Sequence, residues 1–423
     1  MIPTNVKFSK QNSIINVIDS SMGTGKSNAI ISKINLTPNR KFIVIVDSMT
    51  EVNRFIHSIV DSYTPYADNN KKTKSIDILN EIKCHRVIIT TKKLFENFST
   101  EFISHLSNFT LILDEVTDLV DAFQISSDEI DTLLHQNLIE YNSNNKLIVT
   151  NKFTEFEKIA FDKIYNIINS HDIIRISDDN ENINYFAVSN IDIFKTVKET
   201  WLLTFLFDTS TLKAVFMYFD FDIVTYYIDK NSIIEGEQDL MEFKNYTKNH
   251  IKILDNINMN DYDKYTLSNG WLSKQKNNST KIKKLKNNHH NFYMTYTNKS
   301  NYMFTCLKSQ IFKVNKSVSV DKCWISHTTR GTNNYQHISH FAYIINKFQN
   351  PYINRFCTFN NPAYNQDDFS VSEFLQLIYR FNIRKGEVLT IYIPSKRMRD
   401  IITKWLDWDI KFATVKKKLK GKK

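Results

Sequence analysis

The stretch IINVIDSSMGTGKS, residues 14–27, constrains what this chain can fold into more than any other. Ile14, Ile15, Val17 and Ile18 make a short apolar run of the kind buried in a parallel sheet. The polar turn SSMGTGKS follows at once, and NAIISKI reads as the opening turns of a helix. Strand, tight turn and helix, with Gly-Lys-Ser at the helix start, form a cradle of backbone N–H groups that suits a phosphate. Gly25 lets the backbone approach the anion closely. Lys26 is placed to reach terminal phosphates, and the Ser27 hydroxyl to hold a magnesium ion. The expected nucleotide-binding set is therefore Ser21, Met22, Gly23, Thr24, Gly25, Lys26 and Ser27. One position departs from the eight-residue pattern: Ser20 stands where a glycine is usual.

Apolar strands alternate with helical patterns after this loop. KFIVIV (41–46), RVIITT (86–91), FTLILDE (109–115) and KLIVT (146–150) read as successive strands, with amphipathic helices between the earlier ones. The sheet pattern returns at LLTFLFDTST (202–211) after a less orderly stretch over about 151–200, expected to be an insertion. A second series begins with NFYMTYT (291–297) as a strand and SNYMFTCLKSQ as a helix. It continues through the strands DKCWIS (321–326), HFAYIIN (340–346) and EVLTIYI (387–393). Ser395 is placed to cap a last helix with Met398, Ile401, Ile402, Trp405 and Leu406 on one apolar face. Such βαβ alternation predicts parallel sheets with helices on both faces. The expected division is 1–220 for a first domain, 221–290 for a linker or insertion, 291–415 for a second domain and 416–423 for a basic tail. Within the linker, 273–290 reads as an exposed basic loop and His289–His290 as a solvated pair.

At 423 residues the chain has room for two or three domains. Its net charge is +10, and removing the six lysines of the terminal VKKKLKGKK leaves +4. Cys84, Cys306, Cys323 and Cys357 form no C-x-x-C pair, which argues against zinc and against a disulfide framework. No apolar stretch approaches the ~20 residues that span a bilayer. A cytoplasmic protein with no membrane partner is expected.

Asp114 and Glu115 end an apolar strand, where open α/β sheets place their ligands. In a nucleotide hydrolase the first carboxylate holds magnesium and the second orients or deprotonates the attacking water. The two halves of such a site occur here in the right order, 88 residues apart from Lys26 to Asp114. QLIYRFNIR (376–384) adds Gln376, Arg380 and Arg384 at about one helical turn each, an amide and two guanidiniums expected on one helix face. An ATPase needs such an arginine to stabilise charge at the γ-phosphate.

In order, SSMGTGKS, LILDEV, LFDTST and QLIYRFNIR resemble motifs I, II, III and VI of superfamily two helicases, most like the DEAD/DEAH-like helicases of phages and plasmids, including the origin-binding kind. IVIVDSMT (43–50), VIITTKKL (87–94) and FYMTYTNKS (292–300) fall where that family has further motifs. SHTTRGTNNYQHISHFAYI (326–344) resembles motif V through Thr329, Gly331, Thr332 and Asn333. Motif II reads D-E-V-T here, Tyr379 replaces the glycine before the arginine of motif VI, and Arg384 falls one residue late. The resemblance implies two RecA-like domains in tandem that close on ATP and magnesium in a cleft between them. It implies an ATP-dependent helicase or translocase working on DNA, single-stranded or forked, or on RNA, alongside replication proteins of a phage. Asp114, Glu115, Gln376 and either Arg380 or Arg384 would be its catalytic residues, and Ser27 and Asp114 its metal ligands. Thr90, Thr91 and Lys92 in the first domain and Thr297, Lys299 and Thr328 in the second would contact the nucleic acid at strand ends. Two rival readings share the ATP site: a DNA-packaging motor, and a loader in which ATP only switches grip. The packaging motor would carry a nuclease domain with clustered acids, which the second half lacks.

Overall fold

The strand Ile14–Asp19 is central in an eight-stranded sheet. The computed structural model describes residues 14–67, 73–115, 120–121, 127–142, 146–177, 183–189, 191–254, 265–297, 300–331 and 334–407. The sheet order is Ser232–Glu235, Asp222–Asp229, Ile14–Asp19, Glu199–Thr204, Phe109–Asp114, Lys41–Val46, Val87–Thr91 and Ser62–Tyr63. Every neighbouring pair is parallel except the edge hairpin of Asp222–Asp229 with Ser232–Glu235. The continuous apolar runs are buried on both faces. Ile43 and Ile45 face one core with Leu111 and Leu113, while Phe42, Val44 and Val46 face another with Ile112. Side chains alternate across a strand, so an uninterrupted Ile/Val/Leu run requires cover on both sides.

The chain forms two compact units, Met1–Gln238 with Gln349–Phe369, and Asp239–Phe348 with Ser370–Lys423. The expected linker over 221–290 is not one. Asp222–Asp229 pairs with the central strand Ile14–Asp19, so this part of it completes the first sheet. The strand expected over 146–150 also lies elsewhere: among the described residues Leu147–Val149 pairs with Ile139–Tyr141, in a small antiparallel ribbon. That ribbon belongs to a subassembly inserted between Phe109–Asp114 and Glu199–Thr204, with a core of its own around Ile130, Leu133, Ile164, Ile168 and Tyr185. It starts earlier than residue 151. Strand Ile183–Ser189 joins it to the main body, since Tyr185 and Ala187 face the small core while Phe186 and Val188 face the large one.

The second unit carries a four-stranded parallel sheet in the order Ile251–Ile253, Leu389–Tyr392, His340–Tyr343, Tyr302–Thr305. The fold class is thus the expected one, α/β with two parallel-sheet units. Its first strand and helix are exchanged relative to the sequence expectation, however. Residues 291–296 are the end of a 17-residue helix, Thr280–Tyr296, and Tyr302–Thr305 is a strand. Ser279 caps that helix by accepting from Ile282 N, and Ile282, Leu285, His289 and Phe292 recur on one buried stripe. His289 is therefore a core residue, not part of a solvated pair. Its ring sits between the Val314 carbonyl (2.9 Å) and the Tyr302 hydroxyl (2.5 Å), and burial pushes its pKa down to about 4. DKCWIS forms a short helix, Val320–Cys323, with one bridge from Trp324 to Phe304. Ser395 caps Lys396–Trp405 as expected, accepting from Met398 N at 3.3 Å. No helix among the described residues is long and apolar enough to cross a membrane.

Helix Pro351–Asn360 lies in the second half of the sequence but in the first unit. Phe356 is buried there with ring centroids 5.3 Å from Phe186 and 6.4 Å from Tyr218, and Asn361 donates to the Asp208 carbonyl at 2.8 Å. Phe356→Ala should cost roughly 3–5 kcal/mol. Hydrogen exchange should speed up in peptides covering 211–221 and not in those covering 340–345. Faster exchange confined to the second set would contradict the assignment of this helix.

Candidate functional site

The expected phosphate loop joins strand Ile14–Asp19 to helix Lys26–Asn35. Gly23 and Gly25 take φ of 86° and 89°, the left-handed region that side chains rarely adopt. A Cβ on Gly25 would also come within 3.4 Å of Asn231 Oδ1. Ser20 replaces the usual glycine for a visible reason. Its hydroxyl is buried and accepts from Ile228 N at 2.8 Å, and its own N–H donates to the Thr204 carbonyl at 3.2 Å. The loop is thereby fixed to the strands on both sides of Ile14–Asp19. Met22 is buried, and Thr24 Oγ1 donates to the Ser21 carbonyl at 3.0 Å. Lys26 is buried too, and its Nζ donates to the carbonyls of Ser20 (2.5 Å) and Ser21 (3.1 Å).

The structure brings Ser27 and Asp114 together. Ser27 Oγ donates to Asp114 Oδ2 at 2.7 Å. Between their two strands lies Glu199–Thr204, whose end holds both parts: Thr204 O accepts from Ser20 N, and Leu203 O accepts from Glu115 N at 3.0 Å. Glu115 follows immediately with φ 56°, a left-handed conformation that costs energy in a non-glycine residue. Magnesium takes oxygen ligands and keeps several waters. A serine hydroxyl and a carboxylate oxygen this close, beside a loop suited to phosphates, fit that ion.

Three further residues join this site without any signal in the sequence spacing. Gln238 grips Ser21 twice, accepting from its N–H at 2.7 Å and donating to its Oγ at 3.2 Å. Asp19 accepts from Phe207 N at 2.9 Å, which ties the loop strand to the LFDTST segment. Burial raises the Asp19 pKa, against the Phe207 N–H and the nearby Lys26 charge. Arg54, on helix Met49–Ser58, places Nη2 3.7 Å from Asp114 Oδ2.

In the second unit Gln376, Arg380 and Arg384 do not share a helix face. The helix Gln366–Ile378 ends before both arginines, and Arg384 lies in a 3-10 turn, Asn382–Lys385. The chain is diverted because Asn382 N donates to the Ile338 carbonyl and Gly386 closes the turn with φ 76°. Tyr379, where a glycine was expected, fills a pocket: its ring stacks on Phe243 at 5.1 Å and its hydroxyl lies 2.7 Å from Thr247 Oγ1. Gln376 and Arg380 are buried, with Gln376 Nε2 donating to Ser372 Oγ at 3.0 Å. Segment 326–331 is tied to the same helix through Arg330, which pairs with Glu373, while Lys347 Nζ lies 3.2 Å from Glu373 Oε2. Burial raises the Glu373 pKa, but the two cations outweigh it and hold the carboxyl below its usual range. Burial and the same cations push His327 down to about 4.

Of the expected nucleic-acid contacts, Thr90 is buried in its strand, and Thr91 ends that strand. Lys92 Nζ lies 3.6 Å from Glu96. Thr328 is exposed, with Oγ1 2.9 Å from Ser326 Oγ. Thr297 follows a helix, not a strand, and its hydroxyl donates to Tyr293 O at 2.7 Å. Lys299, Thr332, Asn333 and the tail 416–423 lie outside the described residues.

Fold and site together define an α/β protein of parallel-sheet units with a phosphate-loop arrangement in the first. The chain belongs to the family of YonV. It is 30% identical over 417 residues to the SPbeta prophage-derived uncharacterized protein YonV of Bacillus subtilis (strain 168), covering 93% of this chain and 98% of that protein. Residues 245–406 match the YonV C-terminal Rossmann-like domain. Among solved structures, apo XPD is similar at TM-score 0.49 and 10% identity, over 94% of this chain and 96% of that one. S. tokodaii Xpd4 is similar at TM-score 0.46 and 10% identity, over 95% of each.

Burial, then the neighbouring Glu115 charge, pushes the Asp114 pKa up to about 6, against the Ser27 hydrogen bond and Arg54. The folded protein holds this proton more tightly than the unfolded chain does. The stability it contributes is present at acid pH and lost as pH rises through about 6. Asp114→Asn should remove that slope. It should also stabilise the protein, free of magnesium and nucleotide, at pH 7 by on the order of 2 kcal/mol. Urea denaturation at pH 4.5 and pH 7 measures both, and an unchanged slope would place the titration on another group.

Proposed function

We propose that this protein is an ATP-dependent helicase or translocase that moves on DNA and serves the replication of a phage or prophage. The observation that carries the reading is the Ser27–Asp114 hydrogen bond beside Lys26 and Glu115, at the carboxyl end of a parallel sheet. The prophage origin in the name of its relative agrees with the proposed setting.

In this mechanism the loop N–H groups and the start of helix Lys26–Asn35 bind the triphosphate. Lys26 exchanges the Ser20 and Ser21 carbonyls for phosphate oxygens. Ser27 and Asp114 would hold magnesium, which supplies charge neutralisation at the β- and γ-phosphates. Glu115 takes a proton from the attacking water. Arg380 or Arg384 of the second unit stabilises the charge that develops on the γ-phosphate. Changes at Ser21 reach the second unit through Gln238, the last residue before the chain enters it. Nucleic acid is held through phosphates, so grip does not depend on sequence.

ATPase assays with and without single-stranded DNA, duplex DNA and RNA test the reading. Lys26→Ala should abolish turnover, and Glu115→Gln should keep nucleotide affinity while losing turnover. Of Arg380→Ala and Arg384→Ala, the one that removes the γ-phosphate contact should lower stimulated turnover by roughly 10³–10⁵ with a far smaller effect on ATP affinity. Arg380 is the favoured residue. Hydrolysis by Lys26→Ala at the wild-type rate would end the proposal.

A further inference from the structure

The longest one-signed segment of the chain takes no part in the site described above. From Lys264 to Val320 run 57 residues with eleven lysines and no aspartate or glutamate. At the density of the whole chain, 45 acids in 423 residues, about six would fall in such a stretch. A lysine-rich coding bias accounts for the lysines and leaves the missing acids unexplained.

Folding concentrates this charge. Helix Thr280–Tyr296 turns Ile282, Leu285, His289 and Phe292 inward, and Lys281, Lys283 and Lys284 are exposed beside that stripe, with Lys286 half-exposed. Lys316 from the following segment joins the helix, its Nζ 3.3 Å from Asn287 Oδ1. The helix direction is fixed by ring contacts. Phe292 packs on Tyr302, the first residue of strand Tyr302–Thr305, at 5.9 Å, and His289, one turn earlier, packs on Phe304 at 4.9 Å. Helix and strand therefore run antiparallel, and residues 281–286 lie past the carboxyl end of the strand, the end at which open parallel sheets present ligands. The first turn of the helix holds no acid. Cations there oppose the helix dipole, so the fold itself gains nothing from the three lysines.

We propose that Lys281, Lys283, Lys284 and Lys286 form a contact for the phosphate backbone of DNA. It rests on the nucleic-acid reading above and is separate from the residues expected there. Lysines on a helix surface act as point charges toward phosphates and read no base edge, so the contact is independent of sequence.

The test is the salt dependence of binding to a labelled 30-mer, single-stranded and duplex, between 50 and 200 mM salt. The full chain, the triple variant Lys281→Gln/Lys283→Gln/Lys284→Gln and a control triple with the same loss of charge, Lys83→Gln/Lys152→Gln/Lys163→Gln, are compared. With all three lysines on phosphates, the log–log slope falls by up to ~2, or roughly 0.7 per lost single-strand contact. Affinity at 50 mM should drop at least about tenfold, while the control triple and ATP hydrolysis without DNA stay at wild-type values. Equal slopes for the wild type and the first triple, or an equal loss in the control, overturn the contact and leave the helicase reading standing. A wild-type chain that binds neither DNA would instead overturn the nucleic-acid reading itself.

Discussion

A hydrogen bond of 2.7 Å from Ser27 to Asp114 closes a span of 87 residues, and most of the first unit is arranged so that it can form. The two strands that deliver these residues are not neighbours. Glu199–Thr204 lies between them, which separates their backbones by roughly 10 Å at the usual strand spacing. The contact is made by side chains reaching over the end of that middle strand, and the same end accepts backbone N–H groups from Ser20 on one side and Glu115 on the other. One strand therefore sets the distance between the loop and the carboxylates. A sheet buried on both faces is a stiff support for that geometry, because Ile14–Asp19, Glu199–Thr204 and Phe109–Asp114 are each bonded to two neighbours and packed above and below.

Burying the loop makes its polar groups expensive unless they are paired, and the pairings explain residues that look out of place. Ser20 would be a poor replacement for glycine without Ile228 N as its partner, and Ser21 is matched by both ends of one amide, Gln238. The second unit follows the same logic with charges. Glu373 is half-buried, and Arg330 and Lys347, converging on it from outside its helix, hold its carboxyl below the usual range. Segment 326–331 is consequently positioned by an ion pair and not by strand pairing.

Much of this was legible from residue order. The runs at 14–18, 41–46 and 109–114 are too apolar for anything but strands covered on both faces, and Gly-Lys-Ser and Asp-Glu carry their chemistry in their types and positions. Where reading failed, a local pattern had two solutions. Residues 291–297, aromatic and β-branched, suit a strand by propensity, yet the cap at Ser279 and the spacing of Ile282, Leu285, His289 and Phe292 make 291–296 the end of a helix. The even spacing of Gln376, Arg380 and Arg384 suggested one helix, but the helix stops at Ile378 where Asn382 bonds to Ile338. Gln238, Asp19 and Arg54 were invisible because their partners lie far away in the chain or carry no motif of their own. Only tertiary structure makes them neighbours.

Helix Pro351–Asn360 has a consequence for how the protein is made. The first unit contains residues up to Phe369, 131 positions beyond Gln238, and three of the four strands of the second unit's sheet are encoded in between. At 5–20 residues per second a ribosome needs on the order of ten seconds to cover that distance. Throughout that interval the surface destined for Phe356, around Phe186 and Tyr218, stays open on the nascent chain. The second unit is interrupted in turn, since its helix Gln366–Ile378 and strand Leu389–Tyr392 emerge last. Neither unit is complete when the other begins. The two must mature together near the end of synthesis, and no single cut in the gene would release either one whole.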